Sequence, residues 1–119
     1  MSVAKRDKSG RILVYLNATP QQGAETLSNW TVFRITHNRG ESDAVHQHAA
    51  GVGLHFLGAE GSCVIDDYLS RVHVHHYREI ACIVQGRTKT SVIVAAALES
   101  DWTRAAPLLE RAISAYRAR

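Results

Sequence analysis

Apolar and polar positions along the chain fall into segments of strand length, and the pattern becomes regular after residue 50. Arg11 to Ala18 is an apolar, β-rich run between Gly10 and the turn-forming stretch Asn17 to Gly23, so it predicts a first strand. Gly23 to Trp30 has helical composition with weak periodicity, and Thr31 to Thr36, carrying Val32, Phe33 and Ile35, predicts a return to strand. His37 to Asp43 has loop composition, and Ala44 to Ala50 fits either a helical turn or an extended segment. Val52 to Leu57, Ser62 to Val74, Tyr77 to Gln85 and Thr88 to Ala97 are then four strand candidates divided by turn residues, for which a meander is the economical topology. Ala81 to Val84 and Val92 to Ala97 are apolar at nearly every position, which predicts strands covered on both faces. Arg78 and Glu79, like Lys89 and Thr90, are expected at solvent-facing ends of these strands.

A helix closes the chain. Ser100 is the expected N-cap, and Asp101 favours the positive first turn. Leu108, Leu109, Ala112, Ile113 and Tyr116 recur at helical spacing, while Pro107 is expected to kink the helix or split it. The fold class is therefore α+β: an antiparallel sheet of about five to six strands flanked by helices, with the C-terminal helix packed on the sheet. Residues 1–10 are expected to form a flexible basic tail and residues 11–119 a single domain. A chain of 119 residues suits one domain with a core that needs no staples.

Charge changes this picture little. The 14 Lys and Arg against 11 Asp and Glu leave a formal +3, thinly spread, which makes nucleic acid an unlikely partner. Only Lys5, Arg6, Lys8 and Arg11 cluster. The apolar run Ile12 to Leu16 is too short for a secretory signal, and no segment has the length of a membrane span, so a cytoplasmic protein without a membrane partner is expected. Cys63 and Cys82 are expected as buried thiols of a reducing compartment, facing each other across an antiparallel pair.

The stretch YREIACIVQGRTKTSVIVAAALESDWTRAAPLLERAISAYR, Tyr77 to Arg117, resembles the PsbP-like fold family, which includes LpqN-type proteins. A strand of small and apolar residues leads through Ser100-Asp101-Trp102 into a helix ending in Tyr116-Arg117. The resemblance implies a sheet flanked by helices and an accessory or partner-binding role, mostly without catalysis. It implies no functional residue.

Seven histidines are the compositional excess and the first place to seek chemistry. On a strand, His73 and His75 of His73-Val74-His75-His76 would share a face, a spacing seen in HUH nucleases, but no lysine accompanies Tyr116. His46-Gln47-His48 follows Gly40 at the spacing that opens a cupin motif, yet the next glutamate is Glu60, too distant to complete it. His46, His48 and His55 are the candidate metal ligands, and a divalent transition metal is the cofactor they would admit, although none is expected. Trp30, His73, His75 and His76 are the candidate contacts for a ligand or partner. Asp66 and Asp67 are neighbours on a strand and should point to opposite faces. Serine triads, phosphate-cradling glycine loops and dinucleotide fingerprints are absent. The expected function is a small non-catalytic binding protein that engages a protein partner or apolar ligand against its sheet, with a homodimer as one form; the alternative is a small histidine-dependent metal enzyme.

Overall fold

The computed structural model describes residues 2–6, 8–9, 12–21, 23–41, 45–56, 58–70 and 75–115. Among these, the chain runs β1 (Ser2–Arg6), β2 (Ile12–Pro20), α1 (Trp30–Glu41), β3 (Val45–Phe56), β4 (Ala59–Ser70), β5 (His75–Gln85), β6 (Thr90–Leu98), a 3-10 turn at Glu99–Asp101, and α2 (Trp102–Ser114). The strands form one antiparallel sheet in the order β1-β2-β6-β5-β4-β3. The expected α+β class and the meander from β3 to β6 are thus present. β2 pairs with β6, so α1 carries the chain across one face of the sheet to the far edge strand β3.

The two helices lie on opposite faces. On one face α1 packs on β4, β3 and β5, with Trp30 and Ile35 against Val64, Ala81, Ile83 and Val94. On the other, Leu109 and Ile113 of α2 pack on Ile80, Cys82, Val84, Ile93, Ala95 and Ala97. This explains the continuous apolar runs of β5 and β6: their even and odd positions serve different cores. The small residues Ala95, Ala96 and Ala97, all fully buried, let neighbouring groups approach the sheet closely.

Several expectations are corrected. The supposed tail contains β1, whose Ser2 to Lys5 pair with Val14 to Asn17. Thr31 to Thr36 is helix, and α1 begins where the expected helix ended. Of its sheet-facing positions Trp30, Arg34, Ile35 and Asn38, two are polar, so the stripe does not show in hydrophobicity. β-branched Thr31, Val32, Ile35 and Thr36 supplied the false strand signal. Glu79, expected at a solvent-facing end, is fully buried. α2 is continuous through Pro107, and Asp101 rather than Ser100 occupies its N-cap position, with no side-chain capping bond.

Cys63 and Cys82 do face each other in register on β4 and β5, but as a disulfide and not as thiols. The correction has a geometric basis: directly opposed residues on an antiparallel pair bring their Cβ atoms within bonding reach. The bridge closes a sequence separation of 19 residues, and the loop-entropy relation gives it about 3 kcal/mol. Urea unfolding with and without a thiol reductant should show a loss of about that size.

Candidate functional site

The register places one row of residues across the α1 side of the sheet: Tyr15 on β2, Ala96 on β6, Glu79 on β5 and Asp66 on β4. Asp66 and Glu79 are therefore direct cross-strand neighbours, and both are fully buried. Over them lies α1. Arg34 grips Glu79 in a fork, Nε donating to Oε2 and the terminal nitrogen to Oε1, each at 2.9 Å. One turn later Asn38 donates from Nδ2 to Asp66 Oδ2 at 2.7 Å. Asp66 Oδ1 is buried with no aligned hydrogen-bond partner among the described residues. Beyond Ala96, whose short side chain leaves room, the Tyr15 and Tyr68 hydroxyls meet at 3.2 Å.

The electrostatics follow from this crowding. Burial, reinforced by the neighbouring Glu79 carboxylate, pushes the Asp66 carboxyl up to about 7. Burial opposes the charge on Arg34, but the Glu79 carboxylate outweighs it and holds the guanidinium above its ordinary value. Burial also raises the Tyr15 and Tyr68 phenols, which stay neutral. Below about pH 7, with Asp66 protonated, the cluster is one cation, one carboxylate and one carboxylic acid. A proton on Asp66 would turn the oxygen that otherwise has no partner into a donor beside the Glu79 carboxylate.

A second constellation lies on the α2 side, in the next row of the sheet. Asp67 accepts from Arg78 Nε at 2.6 Å and is 2.7 Å from His48 Nε2. Burial would raise the Asp67 carboxyl, but hydrogen bonds from Arg78 and His48 outweigh it and hold the carboxyl below its ordinary value. The Arg78 guanidinium also lies 5.8 Å from the ring centre of Trp102 at the start of α2. The His46 ring meets that of His48 edge-on, with centroids 4.8 Å apart. Because Asp67 is partly exposed, His48→Ala should cost ~1 kcal/mol or less. Carboxyl NMR should show the Asp67 pKa moving back toward its ordinary value in that variant.

The sequence-selected residues are dispersed over these surfaces. His46 and His48 meet on β3, but the carboxylate beside them is already paired with Arg78. His55 sits on the same strand, in register with Glu60. Among the described residues no three His, Cys, Asp or Glu side chains converge as a metal would need. His75 and His76 border a hollow of about 400 Å³ with Leu98, Glu99 and Ser100. His73 lies outside the described residues. Trp30, a candidate contact residue, is corrected to a core residue: it is fully buried and its indole N–H donates to the Ala81 carbonyl at 2.8 Å. Sequence reasoning missed Arg34, Asn38, Glu79 and the pairing of Asp66. Their signal was polar residues at i, i+4 beside acidic residues in apolar strands.

The fold and these constellations define a small α+β protein with a six-stranded antiparallel sheet and a helix on each face. Among solved structures, that of PA94 from Pseudomonas aeruginosa, a protein of unknown function described as a candidate regulator, superposes with a TM-score of 0.72 at 8% identity. The match covers 100% of this chain and 82% of that one, and at such low identity it shows the fold alone. No protein-family model and no curated protein matches the chain. Among the described residues no helix is long and apolar enough to cross a membrane.

Proposed function

We propose that this protein is a non-catalytic accessory or binding protein that takes a protein partner or an apolar ligand against the α2 side of its sheet. The observation that supports this reading is incomplete coverage. α2 packs mainly on β6 and β5, leaving beside it a strip on β3 and β4 where Phe56, Cys63 and Ile65 are only partly buried and Leu54 is 40% exposed. A polar rim of His46, His48, Asp67 and Arg78 borders the strip, the layout of an apolar centre with a polar edge that binding surfaces use. Kinship with the PsbP-like and LpqN-like proteins belongs to the same proposal, supported by the strand-strand-helix unit that Tyr77 to Ser114 forms.

A second copy of the chain is one such partner. Sedimentation equilibrium at high micromolar concentration should detect a dimer that Leu54→Glu weakens; Leu54 is exposed enough for the variant to keep its fold. A wild-type chain that stays monomeric turns the reading toward a ligand or another protein. The histidine-dependent metal enzyme is checked by zinc titration, in which saturable shifts of the His46 and His48 ring protons would favour it. A cytoplasmic setting stands in tension with the Cys63–Cys82 bridge, which favours an oxidising compartment. Thiol alkylation during cell lysis, read by mass spectrometry, decides between them: two alkylated cysteines mean a reduced, cytoplasmic protein.

A further inference from the structure

We propose that the Asp66–Glu79 pair is a proton-operated latch beneath α1: with a proton on the pair the helix is held to the sheet, and without it the second half of the helix, which Asn38 ties to Asp66, loosens. The case begins with position. The two carboxyls sit side by side in register on β4 and β5, both fully buried, and the helix is tied to each of them by a different residue of one face. Among the described residues a single cation, Arg34, faces them. Arg34 directs Nε and a terminal nitrogen to Glu79, so among the described residues the Asn38 amide is the donor on Asp66.

Among the described residues the other groups on this face bring no second cation; they include Tyr77 of β5, buried and stacked on Tyr68 with ring centres 5.8 Å apart. From β2 and β4 come the Tyr15 and Tyr68 phenols, neutral and bonded to each other. Gln47 is the β3 residue in register with Asp66, and Ala96 of β6 is in register with Glu79. Arg78 and His48 engage Asp67, on the opposite face. With one proton on the pair, the charges of Arg34 and the carboxylates sum to zero. Without it, a net negative charge remains in a dry site, where neither carboxylate reaches water unless α1 moves. The helix gives way more readily than the strands, because β4 and β5 are paired on both sides and bridged by Cys63–Cys82. Trp30 and Ile35 keep the first half of α1 anchored, so loosening falls on the second half.

The Asp66 carboxyl, pushed up to about 7 by burial and by Glu79, sets the range. Its folded-state value lies above the ordinary carboxylate value of 3.8. The stabilisation is complete below that ordinary value, declines as pH rises toward about 7, and is gone above it.

The test is amide hydrogen exchange of residues 30–41 in the intact protein between about pH 5 and 8.5, corrected for the intrinsic rate. Protection of the second half of α1 should fall by about tenfold per pH unit up to near pH 7 and then level off. In Asp66→Asn, which keeps the shape and stays neutral, protection should be independent of pH over this range. Flat protection in the wild type, or the same slope in the variant, overturns the latch. If Asp66→Asn does not fold, carboxyl NMR on the wild type decides: titration of Asp66 near 7 supports the latch, and titration at an ordinary carboxylate value overturns it. The latch lies on the face opposite the proposed docking strip, so its failure leaves that reading intact.

Discussion

Arg34→Ala should destabilise the fold by about 3–5 kcal/mol, read as a shift of the urea midpoint, because it leaves Glu79 buried without its cation. The loss should be larger at pH 8 than at pH 5, since acid neutralises the carboxyl pair that the substitution strands. A companion variant separates the worth of the ion pair from the cost of breaking it. Replacing Arg34 and Glu79 together by Met, which fills similar space without charge, should recover most of the stability. If the double variant is as unstable as the single one, packing around Arg34 and not its charge holds α1. If Arg34→Ala costs under about 1 kcal/mol, the pair behaves like an exposed surface bridge and the buried-cluster description fails.

The second large effect is expected at Trp30. Its side chain is 1% exposed and packs against Val64, Ala81, Ile83 and Val94, with Phe33 stacked nearby at 6.3 Å between ring centres. Truncation to alanine removes the largest buried side chain of the α1-side core and should cost about 3–5 kcal/mol. Trp30→Phe keeps most of the ring volume and loses the bond to the Ala81 carbonyl, so about 1–2 kcal/mol is expected. Thermal unfolding of the two variants side by side checks both values. Near-native stability of Trp30→Ala would mean that α1 is held by its polar contacts alone.

How well the sequence could be read differs between the two faces of the sheet. β5 and β6 were legible because their apolar runs are uninterrupted, and α2 because Leu109 and Ile113 repeat on a face with charged residues opposite. α1 was not legible, since Arg34 and Asn38 stand where a helix normally turns apolar residues inward. The same two residues explain why the burial of Glu79 and the partner of Asp66 do not show in the sequence: a carboxylate in a strand implies solvent until its partner is known. That partner lies 45 positions away for Glu79 and 28 for Asp66, a separation no local pattern reveals. Asp66 and Asp67 were correctly expected on opposite faces, and each belongs to a separate network. The histidines attracted attention by number, yet the described ones lie at the strand ends, on edge strand β3 and on α1.

The same contrast shapes the functional reading. The α1 side is closed and polar within, suited to holding or releasing a helix, whereas the α2 side keeps a partly open apolar strip beside α2. The proposed binding on the strip needs no catalytic constellation, and the rim from His46 to Arg78 would give it direction. The most direct test is an NMR titration of the isotope-labelled protein with anilinonaphthalene sulfonate, a probe with an apolar body and an anionic edge. Saturable shifts clustered on the amides of Phe56, Cys63 and Ile65 and near His48 and Arg78 are the expected result. Shifts confined to α1, or no saturable shift at all, would contradict a docking surface on the α2 side of the sheet.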